Sequence, residues 1–414
     1  MKKIVKSVKR CRVALLVESS RAYGRGILGG VAKFVRERDA WSIFFQDLNL
    51  CDDTPPWLKR WEGEGIISRL ENRDIVRAIE RLHVPVVYLR RVATPARAPS
   101  ILTDNVAVAR FCFEHLKERG FRHFAFCGFN GADYSDERRD GFLAMVQTAG
   151  YPCHVYSDGP WARRTDTAQY EGLGLKDGGA VANWIRQLPT PIGIMACNDM
   201  RGQQVLDACR ATGRPSPEEI AVIGVDNDDV LCSLSDPPLS SVVPDAERIG
   251  YQAAMLLAEM MAGNKVPARE ILVEPSGIVT RHSTEVLAME DRQIAAAACF
   301  IREHACDGID VNDVLRAVPM SRSTMDRRFL KILGRSPKDE ILRVRLNRVK
   351  QLLAETDFSL ADIAEKVGLD HVEHLSRSFK IRTGLTPSAF RAEALLRPPA
   401  ERLPQGLVLG DDRP

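Results

Sequence analysis

Polar side chains follow several apolar segments of the sequence and could bind a small polyhydroxylated molecule. Arg21 and Tyr23 come after the apolar run at 13–17, and Asp104 comes after a second run at 100–103. Carboxylates and amides pair with neighbouring hydroxyls, arginine donates to ring and hydroxyl oxygens, and an aromatic ring packs against an apolar sugar face. An Asp or Asn in such a position could instead cap the helix that follows its strand. Further residues of this kind follow later segments: Asn198, Asp199 and Asp226.

An alternation of strand and helix patterns would bring these clusters together, since it predicts an α/β fold with parallel sheets. Two successive units of about five strands each are more than one compact sheet needs, which predicts two lobes with a cleft between them. Helices are predicted at 27–37, 106–119, 138–149, 178–187 and 202–211. Strands are predicted at 13–17, 41–45, 65–67, 86–88, 100–103, 123–127, 154–156, 193–196, 221–225 and 271–273.

In the last quarter of the chain, one short helical pattern occurs twice. The first copy has a helix at 311–318, a break at Pro319 and a second helix that turns Phe329 inward. The second copy repeats this pattern from 360 and turns Phe379 inward, 50 residues after its counterpart. Two short helices joined by a tight turn predict a helix-turn-helix, whose second helix can enter a major groove.

The segment around the join of the two copies is strongly basic. Residues 322–350 contain ten lysines or arginines against three acidic residues, whereas the whole chain carries a formal net charge of only +3. Residues 337–354 are predicted as one continuous helix. This local excess of positive charge is typical of a phosphate-binding surface. The alternative is a solvated charged helix beside a small helical bundle.

The end of the second copy resembles the closing signature of the AraC/XylS family of transcription regulators. The run from Gly384 to Arg391 reads GLTPSAFR and follows Phe379 and Lys380. The resemblance implies two recognition helices in successive major grooves on one face of DNA, with RNA polymerase as a further partner. Carried over by position, the base-facing residues are Arg322, Ser323, Asp326 and Arg327 in the first helix and Val372, Glu373, Ser376 and Arg377 in the second.

The chain also departs from the family pattern. Pro319 stands where a turn glycine is usual, and Val372 offers a base only an apolar contact, such as with a thymine methyl. Each position carried over could be no more than an exposed side chain. We expect Lys331 to contact a phosphate, and we expect the last recognition helix to begin near Asp370.

The N-terminal region resembles the LacI/GalR type of periplasmic-binding-protein-like sensor. The phrases that carry this resemblance are TDN at 103–105, RRDGF at 138–142, MACND at 195–199 and VIGVDN at 222–227. It implies that Arg138, Asn198 or Asp199, and Asp226 line a sugar site. A sensor of this type in front of an AraC/XylS-like domain is an uncommon order. The combination implies a homodimeric activator of sugar-catabolism genes, and we expect its effector to be a pentose, D-xylose.

Other interpretations stay open at this point. The same fold could sense another aldose or a purine-like metabolite, and a sugar-handling enzyme or solute-binding protein with a helical appendage is a further alternative. The absence of a catalytic motif disfavours an enzyme. The basic N-terminus precedes an apolar run of only five residues that ends at Glu18, so it predicts a strand rather than a signal peptide.

Composition indicates a cytoplasmic protein without metal or cofactor. The ten cysteines form no C-x-x-C pair, and most lie in apolar runs, which is typical of reduced core thiols. His371 and His374 lack a third ligand in the sequence. We expect a two-lobed sensor domain at 1–284, a DNA-binding domain at 285–396 and a disordered tail at 397–414. The expected lobes are 10–103 plus 241–270, and 104–240 plus 271–284.

Overall fold

The computed structural model describes most of the chain. Two predictions fall outside the described residues, namely the start of a helix near Asp370 and the disordered tail. Within the described part, no helix is both long and apolar enough to cross a lipid bilayer, and the nine described cysteines form no disulfide with one another. The described residues are 10–38, 41–46, 54–70, 73–91, 98–157, 171–172, 176, 178–285, 291–356, 358–369 and 371–396.

The strands of the described residues form two six-stranded sheets. In chain order they are β1 (Cys11–Leu16), β2 (Trp41–Phe45), β3 (Gly65–Ser68), β4 (Val86–Tyr88), β5 (Ser100–Thr103), β6 (Phe124–Cys127), β7 (Cys153–Val155), β8 (Ile192–Ala196), β9 (Ile220–Val225), β10 (Ser240–Val243), β11 (Glu270–Val273) and β12 (Gly277–Val279). The first sheet has the order β11-β5-β4-β3-β1-β2 and the second the order β12-β10-β9-β8-β6-β7.

Both sheets are parallel, apart from an antiparallel last strand in the second, where β12 pairs with β10. The central strands are buried along their length, as β8 and β9 are, because helices cover both faces of a parallel sheet. The covering helices are α1 (Ala22–Arg38), α2 (Arg73–Glu80), α3 (Asn105–Glu118), α4 (Asp133–Thr148), α5 (Gly178–Gln187), α6 (Asp199–Ala211), α7 (Asp229–Leu234) and α8 (Ala246–Met261). The parallel α/β prediction is therefore confirmed.

The chain passes between the two lobes three times, and two of the expected lobe boundaries are wrong. β10 lies in the second sheet, although residues from 241 onward were expected in the first lobe. β11 lies in the first sheet, where Leu272 pairs with Leu102, although it was expected in the second lobe. β11 and β12 are separated by only three residues but belong to different sheets, so the third crossing falls between them. The sequence prediction also missed β10 and β12, which are short and have few neighbouring apolar residues.

The C-terminal helical domain contains both predicted helix pairs. Its helices are α9 (Arg292–His304), α10 (Val311–Ala317), α11 (Arg322–Leu333), α12 (Pro337–Glu355), α13 (Leu360–Lys366), α14 (Val372–Thr383) and α15 (Pro387–Leu396). Met325 and Phe329 of α11 are buried, and so are Leu375 and Phe379 of α14. The helix-turn-helix prediction is confirmed for both copies.

The two copies agree in their helix ends as well as in their apolar faces. The first helix of each copy begins with a capping box, formed by Asp310 and Asp313 in one and by Ser359 and Asp362 in the other. Each second helix ends at a glycine in the left-handed region, Gly334 with φ 66° and Gly384 with φ 78°. A proline then opens the next helix, Pro337 in α12 and Pro387 in α15. The repeat therefore extends beyond the two apolar patterns that predicted it.

The helical domain packs against the second lobe. One continuous cluster of buried apolar residues contains both second-lobe side chains such as Phe124 and helical-domain side chains such as Ile294. Arg302 of α9 forms an ion pair with the buried Glu218 of the second lobe. Glu285, which follows the second lobe, accepts hydrogen bonds from Arg343 Nη1 at 2.5 Å and Asn347 Nδ2 at 3.0 Å on α12. These contacts tie the position of α9 and α12 to the second lobe.

Candidate functional site

A cleft lies between the lobes where the carboxyl ends of both sets of parallel strands meet, the usual ligand position in this architecture. Five of the seven residues predicted to bind ligand line it: Arg21, Tyr23, Arg138, Asn198 and Asp226. Residues that the sequence analysis did not single out also line it, among them Arg69, Asn105, Tyr134, Glu137 and Glu171.

Arg138 is the most firmly held of these side chains. It is 4% exposed, its Nη1 donates to the backbone carbonyl of Cys197, and its Nε donates to Asn105 Oδ1 at 2.9 Å. Its guanidinium carbon lies 5.0 Å from the centre of the Tyr134 ring, and its Nη2 lies 4.0 Å from Asp226 Oδ1. The guanidinium is therefore fixed in the cleft before any ligand binds.

A second network joins the two lobes across the cleft. Arg21 of the first lobe forms an ion pair with Glu171 of the second. Tyr134 donates to the other oxygen of Glu171 at 2.6 Å, and Asn198 Nδ2 donates to the Tyr134 hydroxyl at 3.0 Å. Burial, followed by the charge of Glu171, raises the pKa of Tyr134 well above its usual range, so the phenol stays protonated and keeps donating.

In the first lobe, Tyr23 lines the cleft and also contacts Arg69. Its hydroxyl lies 2.8 Å from Thr103 Oγ1, and its ring lies 4.7 Å from the guanidinium carbon of Arg69. Arg69 in turn forms an ion pair with Glu18, which is fully buried. One face of the Tyr23 ring therefore lies against an arginine, which leaves the other face for an apolar sugar face.

The turn that carries Asp226 has an unusual backbone. Asp226 and Asn227 have φ values of 105° and 48°, in the left-handed region that favours glycine. Partly buried hydrogen bonds hold the turn: Asn227 N donates to Ser241 Oγ at 3.0 Å, and Asp228 N donates to Asp199 Oδ2 at 2.8 Å. Strain that the surroundings hold in this way is common where a side chain must be aimed at a ligand.

Asp199 supports this turn from below. It is 2% exposed, and Ser241 Oγ donates to its Oδ1 at 2.6 Å. Burial, with the nearby charge of Asp226 second, raises the pKa of Asp199 to about 8. Asp199 also lies at the edge of the cleft beside Arg25 and Asp228, but its hydrogen bonds hold the backbone that presents Asp226.

Asp104 is placed as a helix cap. Its Oδ1 accepts from Ala107 N at 2.8 Å at the start of α3, which is the alternative that applies to any acidic residue after a strand. It does not line the cleft cavity, whereas its neighbours Thr103 and Asn105 do. The TDN motif at 103–105 therefore does reach the cleft, but through Thr103 and Asn105 and not through Asp104.

Several arginines of the cleft lie in ion pairs. Arg21 pairs with Glu171, Arg69 with Glu18, and Arg91 with both Glu137 and Glu270. Arg138 and Asp226 form a further, longer pair. A lining of this kind offers many donors and acceptors with little net charge, which suits an uncharged polyhydroxylated ligand better than an anion.

The helical domain exposes most of the residues expected at DNA. Arg322, Ser323, Arg327 and Lys331 of α11 are exposed, and so are Glu373 and Arg377 of α14, whereas Asp326 and Ser376 are half-buried. Val372 packs partly against the core formed by α12 to α14, so less of it is available to a base. Arg328 points elsewhere, because it pairs with Asp291 at the start of α9.

Two of the residues missed in the cleft carried a signal in the sequence, and one did not. Arg69 directly follows β3, so the rule that found Arg21 and Asp226 would have found it too. Tyr134 lies one turn before Arg138 on α4, on the same face. Glu171 lies in a stretch without a strand or helix pattern, and only the fold brings it to the cleft. Within the described residues, no cluster of three or more His, Cys, Asp or Glu side chains could hold a metal ion.

Three family models match the chain. Residues 12–106 match the XylR N-terminal domain, residues 113–284 match the periplasmic binding protein-like domain, and residues 314–393 match a helix-turn-helix domain. A solved structure described as the xylose-binding transcription activator xylR superposes with a TM-score of 0.78 at 31% sequence identity. The match covers 93% of this chain and 99% of that one, so the order of domains is shared.

Curated relatives agree with these matches. The xylose operon regulatory protein of Escherichia coli K12 is 32% identical over 394 residues, which cover 92% of this chain and 97% of the relative. The protein of the same name from Haemophilus influenzae is 30% identical over 389 residues, covering 92% and 98%. The chain therefore belongs to the family of xylose operon regulatory proteins, transcription regulators in which a periplasmic-binding-protein-like domain precedes a helix-turn-helix domain.

Proposed function

We propose that this chain is a transcription regulator that binds D-xylose in its cleft and operator DNA through α11 and α14. The observation that carries the sugar assignment is the cleft lining, in which Arg21, Arg69 and Arg138 each lie beside a carboxylate around a cavity at the strand ends. The names of the relatives with the same domain order support xylose as the sugar. The protein would act in the cytoplasm as a homodimer and would activate genes by contacting RNA polymerase.

Calorimetry of the intact chain tests the sugar assignment. We expect D-xylose to bind more tightly than D-ribose, L-arabinose or D-glucose, and adenine and hypoxanthine not to bind. We expect D-xylose 5-phosphate to bind at least about tenfold more weakly than D-xylose, because a phosphate would bring further negative charge into a cleft where Arg21, Arg69 and Arg138 already lie beside carboxylates. Tighter binding of the phosphate, or of a nucleobase, would contradict the proposal.

The two basic side chains of α11 should have separable roles at DNA. Replacing Arg327 with alanine should cost about 1–3 kcal/mol and relax base preference at one operator position, because arginine reads base edges through paired hydrogen bonds. Replacing Lys331 with alanine should weaken binding to all DNA sequences alike. It should also reduce the magnitude of the slope of log affinity against log salt by about 1, because one phosphate contact that releases counterions is lost. Gel-shift titrations with operator variants at two salt concentrations measure both effects.

Arg328 provides the matched control for that experiment. It lies beside Arg327 on the same helix but donates to Asp291 Oδ2 at 2.6 Å and to Gln293 Oε1 at 2.8 Å within the protein. Arg328→Ala should therefore lower stability without altering base preference. Loss of base preference in this variant and its retention in Arg327→Ala would show that the direction of α11 on DNA has been assigned wrongly.

A further inference from the structure

The cleft contains two arginine–tyrosine stacks, one from each lobe. In the second lobe, Arg138 lies 5.0 Å from the ring centre of Tyr134. In the first lobe, Arg69 lies 4.7 Å from the ring centre of Tyr23. All four side chains line the same cavity. The two lobes therefore present the same pair of groups to whatever occupies the space between them.

Each stack fixes its guanidinium by the same physical means. The tyrosine ring covers one face of the cation, which is favourable for a partly desolvated arginine. The tyrosine is itself fixed through its hydroxyl, which lies 2.8 Å from Thr103 Oγ1 for Tyr23 and 2.6 Å from Glu171 Oε1 for Tyr134. Neither ring can rotate away without breaking a buried hydrogen bond.

Arg69 is held along its edge by an unusual partner, the carboxylate of Glu18. Glu18 is completely buried at the end of β1, and its Oε2 has no hydrogen-bond partner among the described residues. The first turn of α1 closes directly over it, because a Cβ on Gly24 would come within 2.0 Å of the Glu18 carbonyl oxygen and 2.8 Å of its Oε1. A buried ion pair of this kind adds little to stability compared with an apolar pair of the same size.

Its position suggests another use. Arg69 follows the end of β3, pairs with Glu18 and lies against one face of Tyr23, and its side chain lines the cavity. We propose that Arg69 is the sugar-binding arginine of the first lobe, a counterpart of Arg138, and that Glu18 is the positioning residue that aims it. This inference rests on the proposed sugar site and adds a specificity residue to it.

The test compares D-xylose with its 1-, 2-, 3-, 4- and 5-deoxy analogues in calorimetry of the intact chain. Arg69→Met removes every donor but keeps the length of the side chain. We expect it to weaken D-xylose about ten- to hundredfold, the range for a lost hydrogen bond to a charged group. For the one analogue that lacks the contacted hydroxyl, the parent and the variant should bind alike. A structural role alone would weaken every analogue by the same factor, and that result would overturn the proposal.

The positioning role of Glu18 is measured in the same way. Glu18→Gln should weaken the binding of D-xylose. The loss of affinity should be smaller for the deoxy analogue that Arg69→Met binds as tightly as the parent does. The double variant Glu18→Gln/Arg69→Met should bind D-xylose as weakly as Arg69→Met alone, because Glu18 acts only by orienting the arginine that is no longer present. Independent, additive losses would overturn the role of Glu18.

Two controls separate folding and the sugar assignment from this proposal. Arg69→Met leaves a buried carboxylate without its cation, so the double variant, which removes that charge, is the folded form if the single variant fails to fold. Arg36→Met changes an exposed arginine of the same lobe and should bind like the parent. If the parent binds D-xylose and Arg69→Met binds it equally well, only the role of Arg69 is refuted. If the parent binds none of these sugars, the sugar assignment fails and the Arg69 proposal fails with it.

Discussion

Replacing Arg138 with methionine should lower the affinity for D-xylose at least on the order of a hundredfold. Truncating a buried, hydrogen-bonded charged side chain at a binding site typically costs about 2–5 kcal/mol of affinity, because its partners are left unpaired. Here the backbone carbonyl of Cys197 and Asn105 Oδ1 would also lose their hydrogen-bond donor. Asp226 would lose the guanidinium that lies 4.0 Å from its carboxylate. Calorimetry with D-xylose measures the affinity, and thermal unfolding without sugar measures how much of the loss is structural.

Arg139→Met is the matched control, because Arg139 is the next residue of the same helix. Its hydrogen bonds are local, to Asp136 Oδ1 at 2.7 Å and Asp140 Oδ1 at 2.9 Å on α4. It should therefore leave sugar affinity nearly unchanged. Equal affinities for the Arg138 and Arg139 variants would place the sugar outside the cleft described here.

Replacing Glu285 with alanine should leave sugar affinity intact but remove most of the effect of sugar on DNA binding. Coupling between two sites typically changes affinity by about 5- to 150-fold, and we expect this factor to fall to about twofold in the variant. The physical reason is that Glu285 joins the end of the second lobe to Arg343 and Asn347 of α12. Without it, the orientation of α12 no longer follows the second lobe closely. Gel shifts with and without D-xylose measure the factor directly.

Linkage provides an internal check on that result. Because coupling free energy is reciprocal, operator DNA must change the affinity for D-xylose by the same factor that D-xylose changes the affinity for DNA. Glu303→Ala, which changes an exposed glutamate on α9, serves as the control and should keep full coupling. A sugar response that survives intact in Glu285→Ala would mean that the signal reaches the helical domain by another route, such as the ion pair between Arg302 and Glu218.

Much of the fold and part of the site followed from local patterns. The strands up to β9 were predicted because buried parallel strands are continuous apolar runs, and Arg21, Asn198 and Asp226 were placed together because the carboxyl ends of such strands share one edge. The helix pairs were predicted because each buries an apolar face of helical period. These features depend on neighbours within a few residues, which a sequence shows directly.

What could not be predicted depends on contacts between distant segments. Asp104 and Asp226 follow strands in the same way, yet one caps a helix and the other reaches the cleft, and only the backbone angles of the turn decide which. Glu171 reaches Tyr134 and Arg21 from a stretch without pattern. β11 and β12 look like neighbours in sequence but are separated by a crossing between lobes.

Because the helical domain is attached to the second lobe, the two lobes should move differently relative to bound operator DNA. The three crossings between lobes are each only a few residues long, so we expect them to act as a hinge between the lobes. Arg343 and Arg302 hold the helical domain to the second lobe. When the helical domain binds the operator, we therefore expect the second lobe to stay with the DNA and the first lobe to move as the cleft closes. Sugar binding would then mainly displace the outer surface of the first lobe. In a homodimer whose partner contacts this surface, the displacement would change the contact between the two copies.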